Sequence, residues 1–232
     1  MKHVPPPSDA PLPVRLLKAS EGIGKPSIWI VDLNGTPRVW KTWASRPDWE
    51  RRTLGRRLAH REGRIIRALS GLEGFPTFLG HPHPWTLEMS LLDAEPVPEI
   101  KHGDALTPLY FDRLWAALSA MHQRGINHGD LRRKNLLRAP GDPNTPRLVD
   151  FTQSMHVPPP GSFPWSWFLS EAIRIDRVTF LKLKRWYTGP DSMTEVERQD
   201  ALSIPWHLRV GRFFRQFCYR PVRRAFQGKA PW

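Results

Sequence analysis

The first chemical signal is a set of acidic and amide side chains at fixed intervals. Asp130 lies two residues after His128 in "INHGDLRRKNLL", and Asn135 follows five residues later. A second aspartate, Asp150, stands in "RLVDFTQS", Arg147 to Ser154. Phosphoryl transfer asks little covalent work of a protein. It needs a triphosphate held in place, its charge neutralised by Mg²⁺, and an acceptor hydroxyl aimed in line. Mg²⁺ takes a few hard oxygen ligands together with phosphate oxygens and water, and Asp150 and Asn135 offer such ligands. A carboxylate such as Asp130 can orient a hydroxyl and take its proton. A lysine near the phosphates completes the charge balance, with an acidic partner to fix its position. Lys41 and Glu62 suit those roles; Glu50 is also acidic, but "HREGRII" suits the middle of a helix better. Alone, His-Gly-Asp also suits a surface turn. The ordered set of Lys, Glu, His-x-Asp, Asn and Asp is much harder to obtain by chance.

The elements that must position these residues can be read from pattern. "VRLLKAS", "SIWIVDL" and "PRVWKTW" predict three strands, and Asn34-Gly35 predicts a tight hairpin between the second and third. Lys41 falls on the third strand. Asp48 to Leu69 predicts a helix, with Leu54, Leu58, Ile65, Ile66 and Leu69 apolar and arginines crowding the rest. "FPTFLG" and "WTLEMSLL" predict two more strands, giving an antiparallel sheet with one main helix. A Pro-containing stretch, "DAEPVPEIKHGDALTP", predicts a boundary. Thr107 to Arg124 predicts a second helix closed by Gly125, with the Asp130 loop directly after it. "NLLR" and "RLVDF" predict a short hairpin, and Trp165 to Trp186 a third long helix. The expected units are a Pro-rich arm at 1–13, a first lobe at 14–93, a second lobe at 94–204 and a basic aromatic tail at 205–232.

Composition bounds the rest. The 232 residues are 40% hydrophobic and 25% charged, as in a globular protein of one large domain or two small lobes. A single cysteine, Cys218, excludes a disulfide scaffold and points weakly to a reducing compartment. No run of about 18 apolar residues exists, and "MKHVPPPSDAPLPV" lacks an apolar core for a secretory signal, so a cytoplasmic location is expected. The net charge of +13 favours polyanionic partners, whether nucleic acid, anionic lipid or phosphorylated substrates. The tail from Pro205 has no Asp or Glu, six Arg and one Lys, with Trp206, Val210, Phe213, Phe214 and Phe217 on one helical stripe. Such a segment suits either an anionic membrane surface or packing on the second lobe. His81 and His83 in "GHPHPW" have no third ligand and read as a Pro-rich loop.

The site residues carry a resemblance. "HGDLRRKN" resembles the catalytic loop of the protein-kinase-like superfamily, "VDFTQS" its Asp-Phe-Gly metal segment, and "VWK" at Val39 to Lys41 its strand lysine. The resemblance spans about residues 14–187. It is nearest to compact atypical bacterial-type kinases, which include RIO-like protein kinases and lipopolysaccharide core sugar kinases. It implies a two-lobe α+β fold: an N-lobe antiparallel sheet plus one main helix, and a compact, mostly helical C-lobe. It implies ATP and Mg²⁺ between the lobes. Asp130 would be the catalytic carboxylate, and Asn135 and Asp150 the Mg²⁺ ligands. Lys41, paired with Glu62, would contact the α/β-phosphates. Gly22 and Gly24 in "EGIGKPS" would approach phosphate, and backbone atoms from Ser90 through Leu92 to Asp93 would receive adenine. Arg132 would clamp the γ-phosphate or an anionic substrate, and His128 would brace the loop. Thr152 replaces the glycine of the metal segment, which disfavours an in/out flip there. The implied reaction is γ-phosphate transfer to a hydroxyl. A RIO-like serine/threonine protein kinase is the first reading. A lipopolysaccharide core sugar kinase at the inner membrane surface, an aminoglycoside-type small-molecule kinase and a nucleotide-binding pseudokinase are the alternatives.

Overall fold

The computed structural model describes residues 14–20, 22–99 and 106–202. The arm at 1–13 and the basic tail at 205–232, with Cys218, lie outside the described residues. The chain opens with β1 (Val14–Lys18), β2 (Ser27–Leu33) and β3 (Thr36–Thr42). Asn34 and Gly35 both have positive φ, 56° and 77°, which is the geometry a two-residue hairpin needs to match strand twist. Gly35 N–H donates to Asp32 Oδ1 at 2.7 Å and closes that turn. With β4 (Phe78–Gly80) and β5 (Thr86–Ser90), the strands form one antiparallel sheet in the order β1-β2-β3-β5-β4.

Strand alternation decides where Lys41 points. Side chains on successive strand residues face opposite sides of a sheet. Trp40 faces one side, where it joins Trp29 and Val31 in a small apolar cluster. Lys41, opposite Ile28 and Leu87 in the register, is therefore aimed at the other side, toward the helix. That helix runs as α1 (Asp48–Glu50), a widened π turn (Arg51–Gly55) and α2 (Arg56–Ala68). The pattern alone predicted one uninterrupted helix here. Within the widened turn the helix lies against Trp43, the residue after β3: an ideal Cβ on Gly55 would stand 2.7 Å from Cβ of Trp43. In α2, Ala59, Glu62, Ile65 and Ile66 are buried at helical spacing, so the inward stripe carries one carboxylate among apolar residues.

The first helix of the second lobe is α3 (Pro108–Gln123). Thr107 caps it, its Oγ1 accepting from Tyr110 N–H, and Pro108 occupies the first helical position, where no N–H is needed. Gly125, at φ 73°, ends the turn that follows. A small sheet comprises β6 (Glu95–Pro96), β7 (Leu136–Ala139) and β8 (Asp142–Leu148). It is followed by α4 (Trp165–Thr188) and α5 (Glu195–Leu202). Strand β6 and helix α5 have no counterpart among the predicted elements. Two residues are too few for a period, and the polar α5 sequence has no apolar stripe. Helix α5 is instead held by a capping box: Glu197 N–H donates to Thr194 Oγ1, and Thr194 N–H to Glu197 Oε2.

One apolar core runs beneath both lobes, from Trp43, Ile66 and Leu87 through Leu118 and Phe151 to Phe180 and Tyr187. Among the described residues, no helix is long and apolar enough to cross a membrane.

Gly125 gives a direct test of how the entry to the Asp130 loop is set. A Cβ there would stand 2.0 Å from the Val157 carbonyl oxygen, in a left-handed backbone conformation. Gly125→Ala should lower the unfolding free energy by about 2 kcal/mol or more, since the backbone region alone costs about 1–2. Gly141→Ala, where a Cβ meets nothing, should stay within about 0.5 kcal/mol. Urea denaturation of the two variants measures both; equal midpoints would refute the assignment.

Candidate active site

Three distant parts of the chain converge on one ammonium group. Lys41 Nζ lies 2.9 Å from Glu62 Oε1, 2.9 Å from Asp150 Oδ1 and 2.7 Å from Thr152 Oγ1. Glu62 Oε1 also accepts the Phe151 N–H at 3.2 Å, which ties α2 to the segment after β8. Thr152 Oγ1 stands 2.7 Å from Asp150 Oδ1 and 3.1 Å from Glu62 Oε2, so the threonine takes part in the cluster. Lys41 and Glu62 are buried, while Asp150 keeps about a third of its side chain exposed. Burial alone would lower the Lys41 pKa, but Glu62 and Asp150 raise it above the ordinary lysine value. Burial alone would raise Asp150, but the Lys41 ammonium and the Thr152 hydroxyl hold it well below the usual carboxylate range. Asp150 is also one of two described non-glycine residues with positive φ, at 69°, a conformation kept only where its surroundings fix it.

The Asp130 loop is built from both ends. Asn135 Nδ2 donates to the Asp130 carbonyl at 2.8 Å and lies 3.2 Å from Asp130 Oδ2. The Arg132 guanidinium pairs with the same Oδ2 at 2.7 Å. Among the described residues nothing bonds Asp130 Oδ1. Beneath the loop, buried Asp176 of α4 accepts the N–H groups of His128 (2.5 Å) and Gly129 (3.0 Å). The Ser154 hydroxyl donates to the His128 carbonyl at 2.8 Å, and Met155 N–H to Asn127 Oδ1 at 2.8 Å. His128 packs on Phe151, ring centroids 5.2 Å apart. Its burial lowers its pKa despite three nearby aspartates, so the ring acts as a neutral brace.

Of the residues singled out in the sequence, Lys41, Glu62 and Asp150 form one cluster, and Asp130, Asn135 and Arg132 another. Glu50 does not approach Lys41. It is buried and accepts Gly24 N–H at 2.6 Å, with Arg46 bidentate on its carboxylate at 2.9 Å. Burial raises the Glu50 pKa, but Arg46 and the Gly24 N–H more than reverse this. Trp43 Nε1 donates to the Gly24 carbonyl at 3.0 Å. Gly24 is thus an anchor whose N–H is already taken, and Gly22, at φ 84°, is the glycine at the open part of that turn. Ser90 finishes β5: its N–H donates to the Thr77 carbonyl at 2.9 Å, and its Oγ accepts from Thr77 N–H at 2.8 Å. Its N–H is therefore committed to the sheet, and Leu92 lies in the unpaired crossing toward β6. His81 lies against His60, ring centroids 4.2 Å apart, and is bonded to the Thr86 carbonyl through Nδ1.

Asp176, Thr152 and Glu50 carry structural roles that pattern reading did not assign. Asp176 left a usable signal, a lone carboxylate in the buried stripe of "IRIDRVTF". Among the described residues no three His, Cys, Asp or Glu side chains gather to hold a metal. The donor set of Asp150 and Asn135 fits Mg²⁺, which keeps waters and substrate phosphates as its remaining ligands. The Lys41, Glu62 and Asp150 charges sum to −1, and Asp150 is the exposed member, so an arriving cation meets its carboxylate first.

These elements compose a two-lobe α+β fold, an antiparallel sheet with one main helix joined to a mostly helical second lobe. No protein-family model and no curated protein matches the chain. Among solved structures it is similar to the Rio2 kinase from Chaetomium thermophilum, at 20% identity and a TM-score of 0.45, covering 80% of this chain and 69% of that one. It is also similar to the Rio2 kinase–ADP/Mg²⁺–phosphoaspartate complex from the same organism. That match has 19% identity and a TM-score of 0.45, covering 80% of this chain and 68% of that one. At that distance the fold rests on the chain's own strands, helices and contacts.

Removing the shared cation should expose the cost of the cluster. Lys41→Met leaves two carboxylates facing one another and should destabilise by about 3–5 kcal/mol at neutral pH. The pH dependence should change sign. In the wild-type protein Asp150 has a depressed pKa, so its contribution is complete above the unfolded value of about 3.9 and is lost as pH falls through the folded value. In the variant, burial raises the pKa, and stability should instead rise as pH falls from neutral toward about 4. Urea midpoints across that range test this; parallel profiles would refute the coupling.

Proposed function

We propose that the chain is an ATP-dependent phosphotransferase moving the γ-phosphate to a hydroxyl acceptor. The observation that carries this reading is Lys41 held at 2.9 Å from both Glu62 and Asp150, with Asn135 bonded to Asp130 within the loop that follows α3. On this reading the lysine meets phosphate oxygens, and Glu62 fixes where it does so. Asp130 keeps Oδ2 tied to Asn135 and Arg132 and presents Oδ1 to the acceptor hydroxyl, whose proton it takes. Asn135 and Asp150 would hold Mg²⁺, which supplies charge neutralisation on the transferring phosphoryl group. Arg132, exposed beside Asp130, contributes a second cation for the γ-phosphate or for an anionic acceptor.

For the acceptor, a RIO-like serine/threonine protein kinase is the first reading. It rests on Asp150-Phe151-Thr152-Gln153 and on the short path from Asp150 to α4 at Trp165, which leaves no room for a long activation segment. A lipopolysaccharide core sugar kinase is the second, favoured by the exposed aromatic and arginine surface described below.

Purified protein with Mg²⁺ and γ-labelled ATP should transfer or hydrolyse the label when presented with a panel of proteins and lipopolysaccharide fractions. Asp130→Ala should lower kcat at least about 100-fold while nucleotide binding persists. Asp150→Ala should lose the Mg²⁺ dependence of nucleotide binding. Nucleotide binding by the wild-type protein without turnover would identify a pseudokinase and sink the phosphotransferase reading.

A further inference from the structure

Helix α4 extends well past the point where it serves the site. Asp176 braces the catalytic loop, yet the helix begins eleven residues earlier, about 16 Å away along its axis. That overhang and the residues before it carry large apolar side chains in water: Phe163 is 82% exposed, Trp165 58% and Phe168 44%. The rings gather on one another, Trp165 and Phe168 at 6.1 Å and Trp167 and Phe168 at 4.9 Å between centroids, and none belongs to the buried core.

A row of cations lies on the outer face of α2. Arg57, Arg61 and Arg64 follow helical spacing, with Arg56 beside them, and all four are exposed. They line a cavity of about 1000 Å³ with Leu54 and Leu58. Among the described residues none of these four forms an ion pair with a carboxylate. The two features are joined by the segment that follows Asp150. Arg61 donates to the Ser154 carbonyl at 2.7 Å, and Arg64 is near enough to His156 to add to the lowering that burial gives its pKa. A Cβ on Gly161 would then meet both Val157 and Ser166, at 2.9 and 3.3 Å, which brings this segment against the start of α4.

We propose that this surface seats the protein on an anionic lipid bilayer. The aromatic tip enters the boundary between headgroups and acyl chains, and the arginine row meets lipid phosphates. The segregation of rings from cations is the reason to prefer a bilayer. Binding to a single-stranded nucleic acid needs aromatic faces left open for successive bases along a cationic groove. Here the rings pack against each other at one end, and the single ring within the row of arginines, His60, is taken up against His81. The seat stands independently of catalysis. Joined to the phosphotransferase reading, on which this last step rests, it favours the second of the two acceptor readings, a lipid-borne hydroxyl.

The test is co-sedimentation of the full chain with phosphatidylglycerol-containing vesicles and with phosphatidylcholine vesicles. Wild type should sediment with the anionic vesicles and weakly with the neutral ones. Phe163→Ser/Trp165→Ser/Phe168→Ser, checked for an unchanged melting profile, should partition at least about tenfold more weakly. Arg56→Gln/Arg57→Gln/Arg64→Gln should lose about fivefold per arginine on anionic vesicles and little on neutral ones. Asp130→Ala should sediment as wild type, so failure of the seat and failure of catalysis are separate results. Unchanged partition of the aromatic variant overturns the proposal, as does binding that vanishes only when residues 205–232 are removed. Tight binding of an oligonucleotide with no vesicle binding overturns it in favour of nucleic acid.

Discussion

A buried lysine shared by two carboxylates is the constraint on which this molecule is organised. Each charge taken from water costs several kcal/mol, and attraction repays that cost only when the geometry is held. Lys41 comes from β3, Glu62 from α2, and Asp150 and Thr152 from the segment after β8. Sheet, helix and second lobe must therefore dock together for any one of these charges to be tolerated. The continuous core under both lobes supplies that docking. Phe151, between Asp150 and Thr152 of the cluster, is itself a fully buried member of it.

A second chain of contacts makes the two clusters depend on one another. Glu62 reaches inward to Lys41 while its neighbour Arg61 reaches the Ser154 carbonyl. Ser154 donates in turn to the His128 carbonyl, and His128 and Gly129 hang from Asp176. A shift of α2 along its axis would disturb the Lys41 pair and the support of Asp130 together. Gly129 shows how tightly this is closed: at φ 75°, a Cβ there would stand 2.5 Å from the Gln153 carbonyl oxygen.

What could be read in advance was set by short-range physics. The Asn34-Gly35 hairpin, the Thr107 cap with Pro108, and the alternation that aims Lys41 away from Trp40 are local effects, and each appeared as its residues predict. The Lys41, Glu62, Asp130, Asn135 and Asp150 set could be singled out because it resembles the ordered motifs of the protein-kinase-like superfamily, and the structure gathers these residues into two clusters. The partners chosen by tertiary approach were not legible. Nothing near Glu50 in sequence reveals that its carboxylate accepts the N–H of Gly24, 26 residues away. Asp176 is bonded 47 and 48 residues back, to groups with no side-chain signature, the backbone N–H donors of Gly129 and His128. The widened turn at Arg51–Gly55 depends on how close Trp43 stands, a packing distance that helical periodicity cannot encode.

The charge of +13 gains meaning once it has an address. Several arginines are consumed internally: Arg46 by Glu50, Arg38 by Glu88, Arg113 by Asp142. The outer face of α2 keeps its cations, while the cluster of Lys41, Glu62 and Asp150 is net negative. On the phosphotransferase reading these opposite signs act in sequence. A cationic exterior draws in a polyanion over roughly a Debye length. The negative cluster then disfavours a bare triphosphate and favours one already neutralised by a divalent cation. The same exterior cannot distinguish a nucleotide from a phosphate-rich surface by charge alone. The exposed rings at the start of α4 add an apolar term to that surface, and a soluble nucleotide has no acyl region to receive it.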